Sequence, residues 1–355
     1  MMVLTDNLRQ AGKAPVIFAS PDGSRLLVLP EFGRVIGLYT EDSDENFFWT
    51  NPALASAESA TAYFRGDGWR NPGGDRTWLS PEIELFISDL AQPGQTYAVP
   101  VALDQGRWRG EGGMHGLQFR NESVVRLKRS GRDVPFAITK QVCMAANPLR
   151  ALNLDLSYAG YEQTTILEVE PDRDASLSVP LGIWNLLQLP KPGRMIVPTY
   201  RRAVPQTVFG EVTPCDLSVT DHALVWSVPD MGGNAKISLK ADILTGRAGY
   251  LWTSCKDDDR WNLVVRNFTV NLSGDYVDAL WDNPTDTGYA FQACAVNEGD
   301  ETFNELEYHA PAVSTAPGQN RACDQSQLWA FRGELSNIAT VMGHLLGTKL
   351  LQIMI

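Results

Sequence analysis

The residues best suited to chemistry are two glutamates and a histidine that alternate near the C-terminus, in the segment ELEYHAP. Glu305, Glu307 and His309 are spaced two residues apart, so on a β-strand their side chains share one face. Leu306 and Tyr308 would then lie on the opposite face. Crowding of two carboxyl groups raises the pKa of one of them, which suits general acid and base catalysis near neutral pH. We predict that all three are catalytic, with a solvated strand face as the alternative.

A further histidine lies among glycines in the segment EGGMHGLQFR. Glycines on both sides of His115 allow the backbone and the imidazole to approach a ligand closely. We therefore predict a catalytic or substrate-orienting role for His115, and the alternative is a structural histidine at the start of a strand. Arg120 is predicted to bind substrate, or else to pair with Glu122 at the surface.

The segment NPGGDRTWLSPE contains a second group of candidate binding residues. Arg76 offers five fixed donors that suit sugar hydroxyls or a carboxylate. Trp78 would stack on a sugar ring or fill the core. Glu82 begins an alternating run, Glu82–Ile87, which predicts a strand. The glycine pair is not a phosphate loop, because GxxxxGK[ST] and a following helix are missing.

Short apolar or alternating runs separated by turn residues dominate the chain, and they predict an all-β protein. The predicted strands are Pro15–Ala19, Arg25–Leu29, Val35–Tyr39, Glu82–Ile87, Ser123–Leu127, Ala137–Val142, Leu152–Leu156, Thr165–Val169, Ala223–Val228, Ala235–Leu239, Leu263–Thr269 and Gly288–Val296. Asn51–Ala62 is predicted as a short helix or a loop, and long helical periodicity occurs only at the C-terminus. Because no linker interrupts the strands, we predict one two-sheet domain over residues 1–335 and a helix over 336–355 packed on it.

Composition limits the classes of partner. The chain has 355 residues and a net charge of −12, which argues against nucleic acid as a partner. Neither a secretory signal nor a long uncharged apolar run is visible, so we predict a cytoplasmic protein without a membrane partner; export stays open, as does a homodimer. Five widely spaced cysteines form no CxxC pair and predict free thiols rather than a zinc ribbon. Glutamate and histidine would also suit a divalent metal, but we predict no metal and no cofactor.

Ten tryptophans and ten tyrosines are available for stacking on sugar rings. Trp184 and Trp281 lie in polar or Gly/Pro-rich contexts and are predicted to bind substrate. A structural role is the alternative for each of them.

Several segments taken together have a common resemblance. They are LLVLPEFGRVIGL from Leu26, NPGGDRTWLSPE from Asn71, MHGLQFR from Met114, WNLLQLPKPGRMIVPT from Trp184, Leu263–Phe268, YVDALWDNP from Tyr276, and ELEYHAP from Glu305. This set resembles the galactose mutarotase-like (aldose 1-epimerase-like) superfamily, and more closely an uncharacterised bacterial branch of it. The resemblance implies a large antiparallel β-supersandwich, a sugar substrate, and a late catalytic glutamate within ELEYHAP.

The chain departs from that superfamily at one position. A typical member has a mid-chain histidine that serves as general acid, whereas the corresponding Ser178–Leu189 offers Trp184, Asn185 and Gln188. Trp184 and Gln188 are therefore predicted to bind substrate there. The sequence favours aldose 1-epimerase-like acid/base chemistry on a mono- or oligosaccharide. A non-catalytic carbohydrate-binding protein, and a glycoside hydrolase or lyase on the same scaffold, are the alternatives.

Overall fold

The fold consists mainly of two large antiparallel β-sheets. A computed structural model describes residues 1–113, 116–171, 178–230, 232–255 and 259–348. In spatial order the first sheet contains β1 (Val16–Ala19), β2 (Arg25–Leu29), β3 (Arg34–Tyr39), β4 (Asp75–Ser80), β9 (Pro180–Leu189), β18 (Glu301–His309), β17 (Phe291–Glu298), β14 (Ala235–Leu239) and β11 (Gln206–Phe209), with β19 (Val313–Ser314) paired to β9.

The second sheet has the same number of described strands, and all of their pairings are antiparallel. Its spatial order is β12 (Leu217–Val219), β13 (Ala223–Val228), β10 (Gly193–Pro198), β15 (Arg247–Thr253), β16 (Trp261–Phe268), β20 (Arg321–Gly333), β8 (Leu156–Val169), β7 (Asp133–Met144), β6 (Gly116–Arg126) and β5 (Trp108–Gly113). The predicted all-β, two-sheet architecture is confirmed.

The core lies between the two sheets. Alternate residues of the first sheet, such as Leu79, Leu187 and Leu306, join one buried apolar cluster with Phe119 and Val264 of the second. This arrangement follows from the two-residue period of strand side chains, which sends every second residue into the sandwich. The other face of the first sheet is therefore free to carry different chemistry.

Five helices accompany the sheets in the described residues: α1 (Met2–Gln10), α2 (Ala57–Arg65), α3 (Glu82–Leu85), α4 (Pro93–Thr96) and α5 (Leu335–Leu345). The C-terminal helix α5 packs Ile338, Val341 and Met342 against apolar residues on the outer face of the second sheet, including Leu263 and Phe331. A short closing helix is thus confirmed. Residues 349–355 of the predicted helix lie outside the described residues, and the boundary at 335/336 stays a prediction.

Two strand predictions are wrong. Glu82–Ile87 contains the helical turn α3 instead of a strand, because Pro81 precedes it and acidic residues occupy its first turn, where the helix dipole favours them. Leu152–Leu156 begins within a 3₁₀ turn (Arg150–Leu152), and β8 begins only at Leu156. The undecided Asn51–Ala62 segment contains a 3₁₀ turn and most of α2, whose start is capped by reciprocal bonds between Ser56 and Ser59.

The short N-terminal helix α1 was not expected from the sequence. Its nine residues are too few for a convincing helical period, and it is stabilised by burial of Leu8 rather than by a capping side chain. Among the described helices, none is long and apolar enough to cross a membrane.

Candidate functional site

The outer face of the first sheet gathers most of the predicted site residues. Glu305, Glu307 and His309 lie on this face of β18, as their spacing predicts, while Leu306 and Tyr308 point into the core. The three side chains are nearly fully buried. They lie under loops and α3, so the site is an enclosed polar cluster rather than a solvated strand face.

Strand register brings residues from distant parts of the chain next to these groups. Across β9, Gln188 lies opposite Glu305 and Trp184 lies opposite His309. Across β17, Cys294 lies opposite Glu305, and Lys236 of β14 lies opposite Cys294. Because residues directly opposite in antiparallel strands project to the same side, these side chains share the outer face.

Arg76 reaches the cluster from β4, whose start is set by two glycines. Gly73 and Gly74 both have positive φ, and a Cβ built on Gly74 would lie only 2.2 Å from the carbonyl oxygen of Val35. Glycine is therefore required for the close approach of this turn to β3. The glycine pair noticed in the sequence thus positions the following strand.

Arg76 and Glu305 form one buried ion pair of the site. The Arg76 Nη2 donates to Glu305 Oε1 at 2.9 Å, and both side chains are at most 6% exposed. The guanidinium carbon lies 3.7 Å from the ring centroid of Trp78, within cation–π distance. Trp78 is itself buried and packs edge-on to Trp184. Trp78 therefore packs against the guanidinium of Arg76 and has no exposed face on which a sugar ring could stack.

Lys236 and Glu307 form the second ion pair. The Lys236 Nζ lies 3.1 Å from Glu307 Oε2, which also accepts a hydrogen bond of 2.9 Å from Trp184 Nε1. The ammonium is 4.5 Å from the Trp184 ring centroid and 3.6 Å from Glu82 Oε1. Glu307 Oε1 is buried and has no hydrogen-bond partner in the described part of the chain. One oxygen of Glu307 is therefore anchored and the other is available.

Glu82 joins the covering segments to the sheet. Its carboxyl accepts hydrogen bonds from Trp281 Nε1 at 2.8 Å and Tyr97 Oη at 3.1 Å, in addition to facing Lys236. Its backbone N–H donates to Asp278 Oδ1 at 2.6 Å. Trp281 also stacks on Phe209, at the edge of the sheet. Glu82 therefore links the segments that lie over the site, although the strand conformation predicted for it was wrong.

Carboxyl groups outnumber cations in this outer cluster, which we define as Arg76, Glu82, Lys236, Asp278, Glu305 and Glu307. Burial raises the pKa of Glu307 to about 8, against the opposing attraction of Lys236. Burial likewise raises the pKa of Glu82 and of Asp278. Burial opposes protonation of Lys236, but attraction by Glu307, Glu82 and Asp278 outweighs it and raises the pKa of the ammonium. Glu307 therefore holds its proton near neutral pH.

His309 is a neutral imidazole rather than a protonated acid. Burial, with repulsion from Lys236, keeps its pKa well below the usual range, so the imidazole is neutral. Its Nε2 is 3.1 Å from Gln292 Oε1, which fixes Nε2 as the donor, and the ring stacks on Trp184. The Nδ1 lone pair is then an acceptor, and it has no partner in the described part of the chain. This geometry suits orientation of a ligand better than proton donation.

Several other buried polar atoms on this face also have no partner within the described ranges. They are Gln188 Oε1 and Nε2, Arg76 Nε and Trp78 Nε1, besides Glu307 Oε1 and His309 Nδ1. Gln188 is wholly buried beside Glu305, so its amide has been removed from water without a replacement bond. Unsatisfied buried groups are costly, and a cluster of both donors and acceptors is suited to a ligand rich in hydroxyl groups.

Among the predicted site residues that the structure describes, Arg120 lies away from this cluster. Arg120 lies on β6 of the second sheet, where it forms ion pairs with Glu122 and Glu168. The alternative stated from the sequence, a surface pair with Glu122, is therefore the one that the structure shows. His115 lies outside the described residues. Two members of the cluster were missed: Lys236 is a single cation within the otherwise uncharged strand AKISL, and Asp278 lies in the segment VDAL. A charged residue within a buried strand is the signal that would have identified Lys236.

Cys294 raises the question of a metal ion. One ligand atom from each of Cys294, Glu305 and Glu307 lies within 4.8 Å of the others. Both carboxylates, however, already face cations, Arg76 and Lys236. These cations would repel a bound metal, so the donor set does not fit one well. All five cysteines are free, as the sequence predicts.

No family model and no curated protein matches the chain. Solved structures similar to it include galactose 1-epimerase from Lactobacillus acidophilus NCFM, at 9% identity over 90% of this chain and 95% of that one, with a TM-score of 0.48. A galactose mutarotase-like protein from Lactobacillus casei ATCC 334 is 11% identical over 90% of this chain and 100% of that one, with a TM-score of 0.41. The Slr1438 protein from Synechocystis sp. PCC 6803 is 10% identical over 90% of this chain and 95% of that one, with a TM-score of 0.45.

Proposed function

We propose that this protein interconverts the anomers of a free sugar by acid and base catalysis, in the manner of an aldose 1-epimerase. The observation that carries the proposal is the pair Glu305 and Glu307. The two carboxyl groups lie within 4.8 Å of each other on one face of β18, and each is anchored to its own cation. One of them, Glu307, holds its proton near neutral pH because its pKa is raised to about 8.

Two such groups match the two oxygens bonded to the anomeric carbon of a pyranose. Glu305, as the carboxylate, takes the proton of the anomeric hydroxyl, and Glu307, as the acid, gives its proton to the ring oxygen. The bond between C1 and the ring oxygen breaks, and C1 becomes an aldehyde. Rotation about C1–C2 and ring closure, with both protons returned, yields the other anomer. The reaction consumes no proton and needs no further reactant.

The remaining residues bind and orient the substrate. The Gln188 amide, the Trp78 N–H and the His309 Nδ1 supply donors and acceptors that lack partners within the described part of the chain. Sugar hydroxyls both donate and accept, so they satisfy such a set. The covering residues Glu82, Tyr97 and Trp281 then exclude water and must move for entry, since the carboxyls beneath them are buried.

The pair Glu305 and Glu307 lacks the arrangement of a hydrolase's two carboxyls. Hydrolysis needs two carboxyls on opposite sides of the glycosidic bond, about 5–5.5 Å apart for retention and about 6.5–9.5 Å apart for inversion. Glu305 and Glu307 project to one side from a single strand. A non-catalytic sugar-binding protein is the second candidate, and it is favoured by Trp184, which stands in the segment where the superfamily carries its histidine acid.

The test is NMR measurement of anomer exchange, started from single anomers of a panel of free aldoses. We expect acceleration over buffer for at least one sugar, and a loss of about 10²- to 10⁴-fold in Glu305→Gln and in Glu307→Gln. Glu301→Gln is the matched control, because Glu301 lies on the same strand and bonds to Asn51 and Asn71. It should retain wild-type exchange. Calorimetric binding of a sugar without any acceleration across the panel would replace catalysis with the binding alternative.

A further inference from the structure

A group of arginines lies away from the outer cluster, at the β5 edge of the second sheet. Seven of the 30 Lys and Arg residues fall between positions 107 and 132, against two of the 42 acidic residues, although the whole chain has a net charge of −12. This segment is therefore locally basic in an acidic protein. Such a reversal of charge marks a surface suited to an anion.

Strand alternation directs three of these arginines to one side. Trp108 on β5 and Phe119 on β6 are buried in the core, so Arg107, Arg109 and Arg120 project from the opposite face of the sheet. Arg109 and Arg120 are directly opposite each other in the two strands. With Gln118 and Glu122, the three arginines line a surface cavity of about 390 Å³.

The three guanidinium groups play different parts in this cavity. Arg120 is held by hydrogen bonds to Glu122 at 2.9 Å, Thr139 at 2.7 Å and Glu168 at 3.0 Å, so its position is fixed. Arg107 and Arg109 are exposed, and neither forms an ion pair with a side chain that the structure describes. Glu122 and Glu168 offset the charge of Arg120, which leaves the other two arginines as the positive charge of the cavity.

We propose that this cavity binds an oxyanion group, such as the phosphate, sulfate or carboxylate of a small molecule. Planar guanidinium groups donate paired hydrogen bonds to the oxygens of such groups, and Gln118 adds an amide donor at the rim. The cavity belongs to the second sheet, whereas the proposed sugar site belongs to the first. The oxyanion site therefore does not depend on the proposed epimerase activity.

Calorimetric titration of the full-length protein with inorganic phosphate, at low ionic strength, tests the site. We expect saturable binding that weakens in 0.5 M NaCl, where screening is stronger, and a loss of at least about tenfold in affinity in the double variant Arg107→Gln/Arg109→Gln. Arg126→Gln is the matched control, since Arg126 lies on the same strand β6, is exposed and pairs with Asp133 outside the cavity. Its affinity should stay within about twofold of wild type.

Parallel titrations with a hexose 6-phosphate and with the unphosphorylated hexose identify the source of the oxyanion. Tighter binding of the sugar phosphate than of inorganic phosphate supports a phosphorylated sugar as the ligand, and equal binding supports a free oxyanion. Absence of saturable phosphate binding, or equal affinity in the double variant, overturns the proposal. Anomer exchange of neutral sugars should not change in the double variant, so failure here is distinct from failure of the epimerase proposal.

Discussion

The first sheet carries a buried ionic cluster on each face, and the two differ in how charge is balanced. Neighbouring residues on a strand belong to opposite clusters. On β4, Asp75 faces the core and Arg76 faces outward, and on β18, Tyr308 faces the core and Glu307 faces outward. We define the inner cluster as Asp75, Lys140, Tyr161, Arg266, Tyr308 and Asp324, which lie between the sheets. The same strands thus support both clusters.

The inner cluster contains two carboxyls and two cations, of which Asp75 and Arg266 form an ion pair. Arg266 Nη2 lies 2.5 Å from Asp75 Oδ2, an oxygen that also accepts from Tyr161 Oη. Tyr308 Oη donates to Asp324 Oδ2 at 2.6 Å. Attraction by Asp75 outweighs burial and raises the pKa of Arg266. With Lys140 as the second cation, the inner cluster is balanced and acts as a structural link between the sheets.

The outer cluster instead sets four carboxyls against two cations. Glu307 keeps its proton near neutral pH, and neighbouring amide and ring nitrogens lack partners within the described ranges. A protein gains no stability from such an arrangement. The contrast teaches that burial, ion pairing and a few polar atoms without a partner in the described residues, such as Asp75 Oδ1 and Arg266 Nε, are common to both faces. The surplus of acid distinguishes the face proposed to act on a ligand.

Breaking the inner cluster should cost the most stability. Arg266→Met leaves Asp75 buried without its cation, and we expect the free energy of unfolding to fall by about 3–5 kcal/mol, measured by urea denaturation. Adding Asp75→Asn to this variant should recover part of the loss, because the isolated charge is removed. A loss below about 1 kcal/mol in the single variant would contradict the structural role.

Removing the outer cation should cost less. In Lys236→Met the facing carboxyls can take up protons, so we expect a loss of about 2 kcal/mol at pH 8, measured in the same way. The loss should shrink at pH 5.5, where the carboxyls are protonated more readily. A loss as large as that of Arg266→Met, and independent of pH, would show that the two clusters are energetically alike.

The pH dependence of stability separates the clusters further. The pKa of Glu307 is raised to about 8 in the folded protein from an ordinary value of 4.5, so between these pH values the folded state binds more protons than the unfolded state. Its contribution to stability is therefore complete below about pH 4.5 and is lost as the pH rises toward about 8. Calorimetric melting of Glu307→Gln from pH 5 to pH 8 should show a flatter decline in Tm than wild type.

Glu122, an exposed residue on the second sheet, provides the control for the measurement of Tm against pH. Glu122→Gln should keep the wild-type slope of Tm against pH. An identical slope in wild type and Glu307→Gln would mean that Glu307 is not protonated near neutral pH.

The smallest expected effect comes from two buried glutamines, one on each face. Gln188→Met removes an outer amide without partners within the described ranges, so we expect a gain of up to about 1 kcal/mol in the free energy of unfolding, together with weaker sugar binding. The inner Gln163 donates to Thr165 and Asn185, so Gln163→Met should lose about 1 kcal/mol. Destabilisation of both variants would remove the distinction between the faces.

The sequence predicts the strands well and the site only in part. The alternation of side chains along a strand depends only on neighbouring residues, so the sequence alone places Glu305 and Glu307 on one face. Lys236 and Asp278 could not be assigned in this way, since they reach the cluster only through the register of β14 and the path of a loop. Glu82 was given the wrong element because Glu-Ile-Glu-Leu alternates like a strand, while the preceding proline and the acidic first turn favour a helix.

The measurement that tests the central claim most directly is a pH titration of the carboxyl groups by ¹³C NMR on protein labelled in glutamate. We predict one glutamate carboxyl that titrates near pH 8 and whose signal is absent from Glu307→Gln. Titration of every glutamate below about pH 5.5, within the ordinary range, would contradict the account, because the outer cluster would then hold no surplus proton at neutral pH.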